Sequence, residues 1–447
     1  MNNLLSLPNR ILVLGLAKSG TATAKVLLEH GKKVRVNDLL APDDQVMTEL
    51  TSLGAEMIIG SHPLSVLEQI DMIVKNPGIP YDNVILQQAI EREIPIITEI
   101  ELAYLLAKAP IIAVSGSNGK TTTTTLIGKL LTYDSQQVKV AGNIGTVAVE
   151  MAQQTNKTEP FILELSSFQL LGIEKFRPYI SVLLNVYEAH LDYHQTFANY
   201  KRAKSNIFKN QQANDYFIYN ADEETTAHLA TQAEASLIPF SVKGTIRTGA
   251  WADESAIYFR DDKIIDRSDI ALVGEHNLEN ILASICVARH YQVPLQHICD
   301  VLKTFTGVEH RLQFVLSKNN RKFYNDSKAT NILATQKALA AFHEPVILLA
   351  GGLDRGNEFT ELIPFLSHVK GLIAFGETAP KLQKTAEQAN IPFIRQTDQL
   401  TTAVQIAYEH SSPGDVILLS PACASWDQYR TFEERGGMFV QAAHNLS

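Results

Sequence analysis

Along most of this chain, short apolar runs rich in Val, Ile and Leu end on Gly, Asn, Asp, Glu or Ser and then give way to a helical pattern. That alternation restricts the fold to parallel α/β sheets, because two parallel neighbours need a crossover long enough to hold a helix, and the helix covers the sheet. The runs "RILVLGL" (10–16), "KVRVND" (33–38) and "MIVKNPGIP" (72–80), with a helix over "TATAKVLLEHG", predict a first unit closing near Thr98. A second opens at "PIIAVSGSNGK" and continues through "VKVAGNIG", "FILELSSF" and "YISVLLNV". It then becomes more mixed and ends with a helix from about Asn277 to Tyr291. Beyond Gly307 the first theme returns in "KFYNDSKATN", "VILLAGGLDRGNEF", "GLIAFGETAP" and "DVILLSPACASWDQY". At about 150 residues per domain, 447 residues fit three domains. The expectation is α/β with an N-terminal Rossmann-like domain (1–98), a central phosphate-loop ATPase-like parallel sheet (99–307) and a C-terminal Rossmann-like domain (308–447).

Composition narrows the partners. A formal charge of −9 gives no global attraction for nucleic acid. No apolar run approaches the roughly 20 residues that span a bilayer, and "MNNLLSLPNR" lacks a leader pattern. Cys286, Cys299 and Cys423 are far apart, without disulfide-framework or zinc spacing. A cytoplasmic monomer acting on small molecules, with neither nucleic acid nor membrane as partner, is expected.

The stretch "AVSGSNGKTTTTTL" (113–126) reads as a strand running into a phosphate-binding loop and a helix. Val114 occupies the first glycine position of the strict pattern, leaving Gly116, Asn118, Gly119, Lys120 and Thr121. The physics still holds: glycines let backbone N–H groups face phosphate oxygens, Lys120 adds charge, and Thr121 offers a Mg²⁺ ligand at a helix start. Glu164, closing "FILEL", would carry a carboxylate out from the same kind of strand end. In "NVYEAHLDYH", His190, Asp192 and His194 alternate, which suits a zinc hydrolase, a group near Mg²⁺ or a plain polar loop. In "GLAKSG", Gly15, Ala17 and Gly20 precede Asp38 at the next strand end. This fits a dinucleotide turn, another diphosphate-bearing nucleotide or a packing turn. Asp326, Lys328 and Thr330 in "NDSKATN", and Ser425 ahead of a helix, suit a carboxylate ligand, although such residues also serve as helix caps.

Taken together, "GSNGKTT", "GNIG", "ELSSFQL", "HLDYH", "YKRAK", "GEHNLEN" and "EHR" resemble the Mur ligases of peptidoglycan synthesis over essentially the whole chain. "NDSKATN", "GGLDRG" and "SPACAS" are similar to the acceptor-domain motifs of the D-glutamate-adding branch, and the D-N-P-R motif of many diaminopimelate-adding relatives is absent. The resemblance implies that ATP phosphorylates the L-alanyl carboxylate of UDP-N-acetylmuramoyl-L-alanine. The amine of D-glutamate then attacks the acyl phosphate, and ADP and phosphate leave through a tetrahedral intermediate. Clustered lysine and Mg²⁺ suit this chemistry, because they neutralise the repulsion between two anions.

The resemblance further implies that Lys120, Glu164, His190 and Lys204 are catalytic, with Thr121, Glu164, His190 and Lys204 around Mg²⁺, Lys204 as a carbamate. ATP would be held by Gly116, Ser117, Asn118, Gly119, Lys120, Thr121, Thr122, Asn277, Asn280, Arg311 and Asp326. The UDP substrate would meet Gly15, Leu16, Ala17, Lys18, Ser19, Asp38, Asn76, Gly78 and Asn143, and D-glutamate would meet Lys328, Thr330, Arg355, Ser425 and Phe432. Two departures stand out. Leu39 and Leu40 follow Asp38 where some relatives place polar uridine contacts, and Arg355 stands where some use lysine, so a carboxylate would be paired in a different geometry. The rival readings are a ligase adding another amino acid, a nonenzymatic ATP-driven switch, and a nicotinamide dehydrogenase resting on the early glycines alone.

Overall fold

The computed structural model describes residues 4, 7–272 and 274–446, with the backbone alone at 275 and 276; of the opening stretch without a leader pattern, residues 1–3, 5 and 6 lie outside the described residues. The chain forms two compact units, Met1–Asp269 with His276–Val301, and Ile270–Glu275 with Leu302–Ser447. Among the described residues no helix is long and apolar enough to cross a membrane.

The first unit holds two sheets. Strands β1 (Arg10–Leu14), β2 (Lys33–Asp38), β3 (Glu56–Ile59), β4 (Met72–Lys75) and β5 (Ile96–Ile97) form a parallel sheet in the order 3-2-1-4-5. The order reverses between β1 and β4, and in open α/β sheets the crevice at such a point takes the ligand. The turn Gly15–Gly20 and the loop from Asn76 to Pro80 flank it.

The second sheet comprises β6 (Ile111–Ser115), β7 (Lys139–Gly142), β8 (Phe161–Glu164), β9 (Ile180–Leu183), β10 (Tyr216–Asn220), β11 (Ser236–Ser241), β12 (Ala250–Ala252), β13 (Ala256–Phe259) and β14 (Asp262–Asp266), ordered 14-13-12-11-10-9-6-8-7. Its strands are parallel until β12, where an antiparallel meander closes the edge; this is the mixed stretch of the sequence reading. Strands β6, β8 and β9 are buried along their whole length, as strands covered on both faces must be.

The two sheets share one hydrophobic core that runs from Leu4 through Leu102, Phe161 and Tyr200 to Ala235. Helix Glu99–Leu106 carries the chain from one sheet to the other and buries Ile100, Leu102, Ala103 and Leu106 together with the carboxylates of Glu99 and Glu101. Glu101 accepts the backbone N–H groups of Glu174, Lys175 and Phe176 at 2.8–3.0 Å. Thr98 donates its N–H to Gly172 O at 2.8 Å and its hydroxyl to Gln169 O at 2.7 Å.

The second unit is a six-stranded sheet of β15 (Gln313–Lys318), β16 (Arg321–Asn325), β17 (Val346–Gly351), β18 (Val369–Phe375), β19 (Phe393–Gln396) and β20 (Val416–Leu419), ordered 15-16-20-17-18-19. All its pairs are parallel except β15 with β16. The sequence reading did not assign β15, whose half-buried pattern lacks the continuous apolar run of a central strand. The helix expected at about 277–291 runs Glu275–His290.

Candidate active site

The phosphate loop lies at the carboxyl end of β6, between β9 and β8. Gly119 caps helix Lys120–Leu131 with φ +81°, a left-handed conformation natural to glycine. A Cβ there would stand 2.1 Å from Asn280 Oδ1, so Asn280 also fixes how closely the loop is packed. Asn280 accepts from the Thr123 hydroxyl at 3.2 Å and donates to Asn277 Oδ1 at 2.9 Å, which draws Asn277 and Asn280 onto the same loop. Five consecutive threonines are poor helix formers, and this helix is held by packing, with Thr121 to Thr124 all buried.

The opposite side of the loop is held by residues the sequence reading had not singled out. Asn185, immediately beyond the apolar run of β9, accepts the Asn118 N–H on its side chain and the Ser117 N–H on its carbonyl, both at 2.9 Å. The Ser117 hydroxyl meets the Tyr200 hydroxyl at 2.8 Å. A polar residue just past an apolar run was the available signal for Asn185.

Two lysines converge on one carbonyl: Lys120 Nζ and Lys204 Nζ each donate to Gly116 O at 2.8 Å. Lys204 also reaches Ser115 Oγ at 3.4 Å. Tyr200 and Lys204 are each only 1% exposed, so the two are not surface neighbours on their helix. Burial first, and the Lys120 charge second, hold the Lys204 amine well below the ordinary lysine range.

Glu164 ends β8, 1% exposed. Its Oε1 accepts from Asn143 Nδ2 at 3.0 Å, and its Oε2 is buried without a hydrogen-bond partner among the described residues. An orphaned carboxylate oxygen is the kind of hard donor that Mg²⁺ takes. His190 caps the helix Leu191–His194 with φ +55° and meets Phe168 edge-on at 5.0 Å. His194 turns to Ser167 Oγ at 2.9 Å, Asp192 is exposed, and among the described residues no group of three or more His, Cys, Asp or Glu is placed to hold a metal. Burial, then the neighbouring His190 and Lys204, pushes His194 down to about 4, so it is neutral at pH 7.

In the first sheet Gly15 turns at φ +92°, and Gly20 packs so closely that a Cβ would lie 1.8 Å from Gly15 O. Asp38 closes the turn by accepting Leu16 N at 2.5 Å and Leu40 N at 2.9 Å. Ser19 Oγ accepts from Asn76 Nδ2 at 3.1 Å, and Asn76 Oδ1 accepts Gly78 N at 3.1 Å, so the GLAKSG turn and the Asn76–Gly78 loop face one another. Ala17 and Lys18 are exposed beside them, as are Leu39 and Leu40.

In the second unit three loops gather at the carboxyl edge of β16, β17 and β20. The capping roles fall to Asn331 and Thr431, whose side chains accept Ala334 N and Glu434 N, and not to Thr330 or Ser425. Asp326 is buried, accepts from Ser420 Oγ and Leu312 N, and is pushed up to about 7 by desolvation. Arg311, next to Leu312, is exposed. Lys328 Nζ lies 5.4 Å from the Phe432 ring, and the Arg355 guanidinium lies 5.0 Å from the ring of Trp426, the residue after Ser425. The Arg355 loop is anchored by Leu353 N to Ala424 O, Asp354 N to Glu377 Oε2, and the Asp354–Lys381 ion pair.

Behind these loops sits Arg435, which no motif had marked. It is fully buried and donates to Ser327 Oγ and O, Gly351 O and Cys423 O at 2.8–3.3 Å. Desolvation lowers its guanidinium to about 10. Its position was legible: on helix Phe432–His444 it falls four residues before buried Phe439, on the apolar face.

The sequence profile described as Mur ligase middle domain matches residues 114–288, that of the Mur ligase glutamate ligase domain matches 310–423, and that of the Mur ligase MurD-like N-terminal domain matches 9–98. UDP-N-acetylmuramoylalanine--D-glutamate ligase of Oceanobacillus iheyensis is 54% identical over 448 residues, covering all of both chains. The enzyme of the same name from Bacillus pumilus is 54% identical over 450 residues, also covering all of both. Among solved structures, UDP-N-acetylmuramate-alanine ligase MurC of Thermotoga maritima superposes with a TM-score of 0.58 at 18% identity, covering 97% of this chain and 99% of that one. MurF of Acinetobacter baumannii gives 0.60 at 16%, covering 97% and 93%. The phosphate loop with its paired lysines, and the three sheets that surround it in sequence, therefore belong to a Mur ligase: the chain is a member of that family.

Proposed function

We propose that the protein joins D-glutamate to UDP-N-acetylmuramoyl-L-alanine with conversion of ATP to ADP and phosphate, in peptidoglycan precursor synthesis. Full-length identity above half with ligases of that name supports the reaction. The observation that carries the chemistry is the pair of lysines on Gly116 O, at the end of the strand that pairs with the one Glu164 closes. A carboxylate is a poor electrophile, and phosphate is a good leaving group once transferred to it. Lys120 holds the β and γ phosphates, with Ser117, Asn118, Gly119, Thr121 and Thr122 lining the loop. Thr121, Glu164, His190 and Lys204 would hold Mg²⁺, which when bound would supply charge neutralisation between nucleotide and carboxylate.

A bare ammonium at Lys204 would repel that ion; the neutral amine, which burial favours, would instead add to CO₂ and release a proton, leaving a carbamate, an oxygen-bearing anion. Rescue of Lys204→Ala by short carboxylates, together with a carbon-13 carbamate signal after labelled bicarbonate, checks this. Full activity of the alanine variant with no such signal would remove it.

The UDP substrate is assigned to the Gly15–Ser19 turn, Asp38, Asn76, Gly78 and Asn143, and D-glutamate to Lys328, Thr330, Arg355, Ser425 and Phe432. The ATP roles of Asn277, Asn280, Arg311 and Asp326 rest on the resemblance; the boundaries near 98 and 307, a monomeric state and a cytoplasmic location come from the sequence reading and belong to the same proposal. The test is ADP release with purified UDP-N-acetylmuramoyl-L-alanine and either D- or L-glutamate. Release dependent on the D isomer is expected; equal release with L-glutamate, or with no amino acid, would overturn it.

A further inference from the structure

Lys75 ends β4, is 1% exposed, and among the described residues its hydrogen-bond partners are neutral oxygens. Its Nζ donates to Asn76 O at 3.2 Å, Pro77 O at 3.1 Å, Ile79 O at 2.8 Å and the Tyr193 hydroxyl at 3.2 Å. Tyr193, from the segment after β9 of the second sheet, lies within donating distance of the same two loop carbonyls, Pro77 O at 3.1 Å and Ile79 O at 3.0 Å. The rings of Tyr81 and Tyr193 stand 5.0 and 5.9 Å from the ammonium, so π faces add to its solvation. Tyr193 in turn packs edge-on against Phe168 at 4.5 Å, and Phe168 meets His190.

A buried cation is expensive to keep, and among the described residues no carboxylate pairs with this one to offset its desolvation, which lowers it to about 7. What it obtains is a loop whose carbonyls are turned inward, onto one point, leaving the Asn76 side chain and Gly78 toward Ser19 and the GLAKSG turn. We infer that Lys75 and Tyr193 act as one pin that fixes the Asn76–Pro80 loop for the UDP substrate and ties it to the segment carrying His190. Lys75 is thus a positioning residue for substrate binding. This rests on the assignment of the Asn76–Gly78 loop to the UDP substrate.

The test uses Lys75→Met, Tyr193→Phe, the double variant and Asn76→Ala in the full chain. It measures calorimetric Kd for UDP-N-acetylmuramoyl-L-alanine, KM for D-glutamate and thermal melting. Each single pin variant should weaken the UDP substrate by about tenfold, the scale of one lost hydrogen bond to a charged group, with the D-glutamate KM little moved. Because both side chains serve one pin, the double variant should bind no worse than the weaker single. Losses that multiply in the double variant, or a Kd unchanged by both single substitutions while Asn76→Ala weakens binding, would overturn the pin and leave the UDP site standing. A Kd unchanged in every variant would remove the loop from the substrate site and the pin with it. Should Lys75→Met fail to fold, Tyr193→Phe, which deletes one oxygen, decides through the same Kd.

Discussion

Replacing Arg435 with methionine keeps an unbranched stem in the core of the second unit and deletes the donors that hold three loops. Four hydrogen bonds go to Ser327 Oγ, Ser327 O, Gly351 O and Cys423 O. Bonds to a charged group are worth about 1.5–3 kcal/mol each. Against them stands the desolvation of a guanidinium with no ion pair to a carboxylate among the described residues, several kcal/mol after relaxation. The balance is a destabilisation of ~3–5 kcal/mol, the range for stripping a buried polar network of its hub. For a unit of this size that lowers the melting temperature by roughly 10 °C. Since Ser327, Gly351 and Cys423 precede Lys328, the Arg355 loop and Ser425, loosening them should also raise the D-glutamate KM. Calorimetric melting and KM measured on the same preparation check both. A methionine variant that melts with the wild type and keeps its D-glutamate KM would refute the reasoning, and would mean that the loops hold themselves.

Gly119→Ala forces a side chain into a left-handed backbone, at about 1–2 kcal/mol, and displaces Asn280 from the loop; ATP affinity should fall about tenfold by titration calorimetry, and unchanged affinity would refute the packing argument. Trp426→Leu removes the ring beside the Arg355 guanidinium, a contact of about 0.5–1 kcal/mol. The D-glutamate KM should rise about two- to fivefold while Arg355→Ala raises it further, and an unmoved KM in the tryptophan variant alone would separate the stack from the carboxylate site. Glu99 is fully buried with Oε2 unpartnered, and desolvation raises it to about 7. A raised carboxyl contributes stability that is complete below its unfolded value, near 4.5, and lost as pH rises through 7. Glu99→Gln should therefore gain stability over the wild type at pH 8 and flatten the decline between pH 5 and 8; parallel melting curves across that range would count against it.

The clearest of the strands that the sequence announced were those buried on both faces. In β6, β8 and β9 every position is buried, so an unbroken apolar run survives in the sequence. Strand β15, with one half-buried residue after another, leaves no such run, and only its pairing with β16 reveals it. The phosphate loop was legible because its glycines answer to local backbone needs. The roles of Asn185 and Arg435 were not, although their positions were, because their value lies in distant partners: a loop 67 residues earlier in one case, and three separate loops in the other. Periodicity shows which way a side chain faces, as it does for Arg435. It cannot show that carbonyls will be waiting there.

The connection at Thr98 bears on how this enzyme can be cut. Glu101 collects three backbone N–H groups from the 174–176 segment, and Thr98 bonds twice to the chain around Gly172. A truncation at residue 98 would part the helix of Glu101 from the sheet it continues, break or fray the Thr98 bonds to the Gln169 and Gly172 carbonyls, and strip cover from a core common to both sheets. The first hundred residues thus make a poor excised fragment: they should aggregate when expressed alone, and co-expression of the remainder should rescue them. Substitutions in the GLAKSG turn would leave this seam undisturbed, whereas exchanging the whole N-terminal sheet would require re-matching the seam residue by residue.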